Sequence, residues 1–358
     1  MMRVAFYAPM KSPRSPVPSG DREMARSLMA AIAAPGVTVD LASELKIYDK
    51  RGDVAEQERL RREAGSEVAR LVASLPAETR LWVTYHSYYK SPDLVGPAVC
   101  AARGIPYVQV ESTRATSRLA GPWAMFAQAA HEASDAAAAI FYLTANDLIT
   151  LERERHGDQA LVHLPPFLPV ETLPAPSRRE GPILSAGMMR AGDKLRSYTL
   201  IAETLALLDG DWRLEIAGDG PARAEVEALM APYGNRVRFL GQLDRKGLRA
   251  AYARAGLFLW PGVNEAFGMV YLEAQAAGLP VVAQDRPGVR DVLLSGLHPL
   301  PEDGPQALAV SLARLIRDPV LRATLGEEAR RRVACDHLLT AARERFWAAT
   351  RPLVEESA

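Results

Sequence analysis

The sequence predicts an α/β protein with two doubly wound parallel sheets, one in each half of the chain. Three observations carry this. Short apolar runs alternate with longer amphipathic ones. The alternation stops once, in a proline-rich stretch between Leu164 and Pro182, and then restarts. The chain's 358 residues, 48% of them apolar, suffice for two domains with cores of their own.

The elements follow in order. Arg3–Ala8 reads as a strand, Asp21–Ala33 as a helix and Val37–Leu41 as a strand. Glu56–Leu75 is a long charged helix with Leu60, Ala64, Val68 and Leu71 at helical spacing. Strand Leu81–Tyr85, helix Asp93–Arg103, strand Tyr107–Val110, helix Trp123–Ser134, strand Ala138–Leu143 and helix Asn146–Arg155 complete the first half. Pro165, Pro166, Pro169, Pro174, Pro176 and Pro182 then mark a linker. Strand Ile183–Ala186 and helix Tyr198–Leu208 open the second half. Strand Arg213–Ala217 leads to Gly218-Asp219-Gly220-Pro221, with Pro221 as the first helical residue. Strand Val237–Leu240, helix Leu248–Arg254, strand Leu257–Trp260, helix Gly268–Ala277 and strand Val281–Ala283 follow. Helices over Gln306–Arg317, Val320–Val333 and Leu338–Val354 end the chain. The domains are expected at 1–170 and 171–337, with a final helix at 338–358. Strands alternating with helices make parallel sheets covered on both faces, with ligands at the carboxyl ends of the strands. Two such domains are expected to face each other across a cleft.

Composition narrows the function. The 43 basic and 43 acidic side chains cancel, so no global charge draws the chain to nucleic acid. Cys100 and Cys335 lie too far apart for a disulfide framework or metal knuckle, and both read as buried small hydrophobes. The apolar start is too short for a signal-peptide core, and no run approaches the ~20 apolar residues of a spanning helix. A cytoplasmic location is expected, with peripheral contact at the inner membrane face left open.

The chemistry concentrates between Trp260 and Ala283, a strand end, a turn, a helix and another strand. Glu265 and Glu273 are eight residues apart, about 12 Å along a helix, so they cannot meet on one small group. Glu265 falls in the turn and folds back over the helix start; Glu273 projects from the second turn. An extended ligand such as a sugar nucleotide touches both. The amides of Phe267, Gly268 and Met269 are donors for an oxygen-rich ligand. From spacing alone, a buried αβ unit with one acid as a cap and the other solvated is equally consistent. A lone Glu273 on an apolar helix face favours function.

This stretch resembles the Glu-x7-Glu signature of family 4 of the retaining glycosyltransferases. Gly218-Asp219-Gly220-Pro221, Phe239-Leu240-Gly241 and Ala274–Ala283 resemble further motifs of that family in the right order, over about Ile183–Ala283. The resemblance implies the GT-B fold, two Rossmann-like domains, with the last helix packing back on the first. It implies that Glu265 binds the transferred sugar's hydroxyls and Glu273 the ribose. The amides of Phe267, Gly268, Met269 and Val270 would face sugar and diphosphate. Lys194 would hold the diphosphate with Arg190, or Arg196 in its place, because Met188 stands where the family commonly has its Arg. Asp291 stands where the family usually has Glu.

In the first half, Pro18-Ser19-Gly20-Asp21-Arg22 resembles the family's glycine-rich first loop, with Gly20 against a phosphate; Ser19 or Asp21 as a helix cap explains it as well. His86 ends a strand. Glu111 follows another, where many relatives carry a His, and both are candidates for acceptor contact. Trp123, Met125 and Phe126, near Arg114 and Arg118, suit either core packing or a lipid-linked acceptor. The activity implied is metal-independent transfer from a UDP- or GDP-sugar to a glycan or lipid-linked acceptor, with no cofactor. The family's usual account is front-face attack with retention, the leaving phosphate taking the acceptor's proton. A nucleotide-sugar epimerase of the same fold and a non-catalytic subunit remain as alternatives.

Overall fold

The structure, a computed structural model, describes residues 1–17, 19–294 and 298–356. Pro18 of the first loop and the last two residues of the 338–358 segment lie outside these. The chain divides into two compact units, Met1–Pro165 with Leu339–Ala358, and Pro166–Leu338.

The first unit runs β1 (Met2–Tyr7), α1 (Gly20–Ile32), β2 (Val37–Ser43), α2 (Val54–Ser74), β3 (Thr79–Ser87), α3 (Gly96–Arg103), β4 (Tyr107–Ser112), α4 (Ala124–Asp135), β5 (Ala139–Tyr142), α5 (Ala145–Arg153) and β6 (Ala160–His163). Its described residues form a parallel sheet in the order β2-β1-β3-β4-β5-β6. Val4, Phe6, Leu81, Val83, Val108, Val110 and Ile140 are buried. A parallel sheet covered on both faces requires such continuous apolar runs rather than alternation. Leu60, Ala64 and Leu71 of α2 are buried at the expected spacing, and Asp53 caps that helix by accepting from the amides of Ala55 and Glu56.

The second unit runs β7 (Ile183–Ala186), α6 (Asp193–Leu205), β8 (Leu214–Ala217), α7 (Arg223–Met230), β9 (Val237–Gly241), α8 (Arg245–Arg254), β10 (Leu257–Leu259), α9 (Met269–Ala276), β11 (Val281–Val282), α10 (Gly304–Arg317) and α11 (Pro319–Asp336). Its sheet order is β11-β10-β7-β8-β9, again parallel. The last helix, α12 (Leu339–Glu356), is part of the first unit. There Trp347 donates its indole N–H to the Ile32 carbonyl at 3.0 Å, and Phe346 stacks on Phe141 with ring centroids 5.1 Å apart.

Several expectations change. β6 was not legible: it has four residues, none of them buried, and runs straight into the prolines. The proline-rich stretch is no free linker. Leu168 donates its amide to the His337 carbonyl, Ser177 to that of Ala277, and the Ser177 hydroxyl to that of Ala255. α6 begins at Asp193, five residues earlier than the apolar pattern suggests, because its first turn is polar. α7 begins at Arg223 and not at Pro221: Ala222 is its N-cap, with φ −96° and ψ 21° outside the helical values, and its amide donates to the Met189 carbonyl. α3 begins at Gly96 and not at Asp93, whose buried carboxylate instead accepts from the amides of Val95 and Gly96. Cys335 lies on the solvent side of α11 and is exposed, whereas Cys100 is buried. No helix of the described residues is long and apolar enough to cross a membrane.

Candidate active site

Three loops of the second unit leave the carboxyl ends of the neighbouring strands β10, β7 and β8. The loop after β8 is pressed onto the loop after β7. The Gly187 amide donates to the Ala217 carbonyl, and Met189 donates to that of Asp219. Gly218 has φ +152°, and a Cβ there would come within 1.9 Å of the Gly187 carbonyl oxygen. Only glycine permits that approach.

The loop after β10 is docked on the start of α6. Val263 donates its amide to Ser197 Oγ at 3.2 Å, and Asn264 Nδ2 donates to Asp193 Oδ2 at 2.8 Å. Asn264 sits at φ +51°, a conformation uncommon for a residue with a side chain. These ties bring Glu265 to Lys194. The Lys194 ammonium forms an ion pair with Glu265 Oε1, which also accepts the Trp260 indole N–H at 2.9 Å. The ammonium stands 5.4 Å from the centroid of that indole ring. Lys194 is the second residue of α6 rather than a loop residue, so its backbone is fixed by the helix.

Glu265 leads into Phe267 and Gly268, and α9 starts at Met269. Gly268 is in the left-handed region at φ +59°, with no side-chain cap, and no acid occupies the helix's first turn. The first amides of a helix have no partner within it. At α9 no acidic side chain lies in the first turn, and Phe267, Gly268, Met269 and Val270 are only half-buried there. Glu273 lies one turn on, where Tyr252 donates its hydroxyl to Oε2 at 3.1 Å. Burial pushes the Glu273 carboxyl pKa up, against the pull of the Tyr252 bond and of Arg245 and Arg249.

The structure therefore unites Lys194, at the start of α6, with Glu265, in the turn that leads into α9. Arg190 and Arg196 are exposed, and among the described residues neither makes a side-chain hydrogen bond. Asp291 closes a short helical turn at Val289–Asp291, and its carbonyl accepts from Arg332. Sequence reasoning missed Trp260 and Tyr252. Each read as an apolar position of its element, yet each is a buried aromatic with one polar atom, and that atom meets a site carboxylate.

In the first unit, Ser19 caps α1 by accepting from the Arg22 amide at 3.2 Å, and Gly20 opens the helix. His86 and Glu111 end β3 and β4 side by side, with His86 Nδ1 3.4 Å from Asp21 Oδ1 and 3.8 Å from Glu111 Oε1. Phe126 is fully buried, Arg114 is paired with Asp135, and Trp123 packs edge-on against Tyr89, so this segment is mainly core. Among the described residues no three His, Cys, Asp or Glu side chains are grouped to hold a metal ion.

Residues 190–332 match the family model described as glycosyl transferases group 1. A phosphatidyl-myo-inositol mannosyltransferase of Mycobacterium leprae (strain TN) is 41% identical over 119 residues, 31% of this chain and 32% of that protein. The chain thus spans about a third of the length of that relative. An alpha-D-kanosaminyltransferase of Streptomyces kanamyceticus is 27% identical over 304 residues, 80% of this chain and 77% of that protein. The solved structure of Anabaena HepE in complex with UDP superposes with a TM-score of 0.72 at 16% identity, covering 98% of this chain and all of that one. With two parallel α/β sheets and these neighbours, the chain has the fold of the GT-B glycosyltransferases, and its second unit carries the glycosyl transferases group 1 match.

Proposed function

We propose that the chain is a retaining glycosyltransferase that moves a sugar from a UDP- or GDP-sugar to a glycan or lipid-linked acceptor without a metal ion. One observation carries the reading. A lysine, a glutamate and the start of a helix with no acid in its first turn lie together at the carboxyl ends of adjacent strands in the part of the chain that matches the family. The bound UDP of the Anabaena neighbour supports a nucleotide ligand.

The chemistry follows from the charges. As the bond from sugar to phosphate breaks, negative charge grows on the diphosphate. The Lys194 ammonium and the amides of Phe267 to Val270 offset it, with Arg190 or Arg196 able to swing in from the surface. Glu265, released from Lys194, accepts from sugar hydroxyls, and Trp260 keeps that carboxylate aimed. Glu273 accepts from the ribose hydroxyls. No protein nucleophile is assigned: the acceptor hydroxyl attacks the anomeric carbon from the face the diphosphate leaves, and its proton passes to the leaving phosphate oxygen. Bond made, bond broken and proton then balance with retention.

The test is a panel of UDP-, GDP- and ADP-sugars read by thermal shift and by donor hydrolysis, repeated on Lys194→Ala and Glu265→Ala. Stabilisation by one nucleotide class, with turnover lost in both variants, supports the reading. Turnover that survives in either variant removes that residue from the mechanism. Isomerised donor in the absence of acceptor would favour an epimerase.

A further inference from the structure

The first unit carries a file of aromatic rings that no step of the proposed transfer uses. β3 and β4 both kink near their carboxyl ends, where His86 and Glu111 have φ +61° and +56°. From His86 the rings run outward into the loops that follow. Tyr88 lies 5.1 Å from His86 between ring centroids, Tyr89 lies 5.6 Å from Tyr88, and Trp123, beyond β4, lies 5.8 Å from Tyr89. Tyr88, Tyr89 and Trp123 are half-buried, so each is partly open to solvent. Ligands of doubly wound sheets bind at this end of the strands.

Two cations border the outer rings. Lys90 Nζ stands 5.5 Å from the ring centroids of both Tyr89 and Trp123, and Arg118 Cζ stands 5.3 and 5.4 Å from the same two. The rings attract each cation but leave its charge in place. Among the described residues neither side chain forms an ion pair or a hydrogen bond. Asp49 is fastened to the same ledge, its amide donating to the Lys90 carbonyl and its carbonyl accepting the Trp123 indole N–H. Its carboxylate is buried and already accepts from the amides of Arg51, Gly52 and Asp53 and from the Gln57 side chain. Two positive charges therefore share two rings with no counter-ion from the protein, and they repel until an anion bridges them.

We infer that Tyr88, Tyr89 and Trp123, with Lys90 and Arg118, form a binding ledge for an acidic saccharide, and that the acceptor belongs to that class. The rings take the C–H faces of successive sugars, whose slight positive charge suits the negative face of an aromatic ring. Lys90 and Arg118 take a carboxylate or phosphate group, which the Arg118 guanidinium can meet with two N–H bonds. Half-buried rings in a file favour a ligand that lies along them over a bilayer that must be entered. This deepens the glycosyl-transfer reading by naming its acceptor class, and rests on it for the role though not for the binding.

The experiment titrates tetragalacturonate, maltotetraose, glucose 6-phosphate, glucose and inorganic phosphate into the full chain by calorimetry at low salt without nucleotide, and UDP and GDP separately. At least one acidic saccharide should bind about tenfold or more tightly than its neutral counterpart. Arg118→Gln and Lys90→Gln should each cut that preference to within about threefold, and Tyr89→Leu should weaken the acidic saccharide about fivefold. Arg118 is exposed, so its variant keeps the test informative if Tyr89→Leu fails to fold. Equal affinity for acidic and neutral saccharides, or a preference that survives Arg118→Gln, overturns the inference. So does inorganic phosphate binding as tightly as the acidic saccharides, or retention on phosphatidylglycerol vesicles with no acidic saccharide bound. Failure of the nucleotides alone to bind would overturn the donor reading and leave this result standing.

Discussion

Lys194→Ala separates catalysis from stability. The Lys194 side chain is 28% exposed and that of Glu265 13% exposed, so their ion pair is partly solvated and adds little to folding. Truncation leaves Glu265 with the Trp260 N–H as a remaining partner. The expected cost is therefore about 1–3 kcal/mol. For a unit of this size each kcal/mol lowers the melting temperature by roughly 2–4 °C. A domain with the usual 5–15 kcal/mol or so remains folded at 25 °C. Removing the cation from a leaving diphosphate is a larger effect, on the order of 10²–10³ in turnover. The assay is release of nucleoside diphosphate from the donor that stabilises the wild type, alongside the melting curve. A variant that melts within several degrees of wild type and has lost two orders of magnitude in turnover fits the account. Turnover within about threefold of wild type refutes it.

The remaining predictions concern the groups around that pair. Glu273 has its carboxyl pKa raised above 4.5 by burial, so its contribution to stability is complete below pH 4.5 and is lost as the pH climbs through the folded-state value. Glu273→Gln, which copies the protonated form, should melt higher than wild type at neutral pH, lose that advantage below pH 4.5, and bind nucleotide more weakly; calorimetry at two pH values checks the sign. Tyr252→Phe removes the hydroxyl that fixes Glu273 and should weaken nucleotide binding about tenfold, with turnover at saturating donor little changed. Trp260→Phe keeps the ring beside Lys194 but deletes the N–H to Glu265, so turnover should fall about tenfold and nucleotide affinity should hold. Gly218→Ala drives a Cβ into the Gly187 carbonyl and should destabilise the second unit by several kcal/mol, on the order of 3 or more, seen as a lowered melting temperature.

Much of this fold was legible because parallel strands need apolar runs and their helices need periodic faces. Val4–Tyr7 and Leu257–Leu259 announced themselves that way. β6 did not, because four residues at a sheet edge carry no periodicity. The proline-rich stretch looked like a linker because its fastening is made by backbone carbonyls of distant elements, which no local pattern encodes. In the site, Glu265 and Lys194 stood out as charged residues beside turn signals, but their pairing depends on Asn264 and Val263 docking a loop 71 and 66 residues along the chain from its anchors. Trp260 and Tyr252 were hidden by their own hydrophobicity. His86 and Glu111 were visible as polar strand ends. Their shared kink is a property of three-dimensional register alone.

A complex with UDP or GDP, solved to side-chain detail, addresses the central claim most directly. The account predicts the Lys194 ammonium turned from Glu265 onto a diphosphate oxygen, the α9 amides on the same group, and Glu273 at the ribose. A nucleotide bound elsewhere, with the Lys194–Glu265 pair still closed, would contradict it.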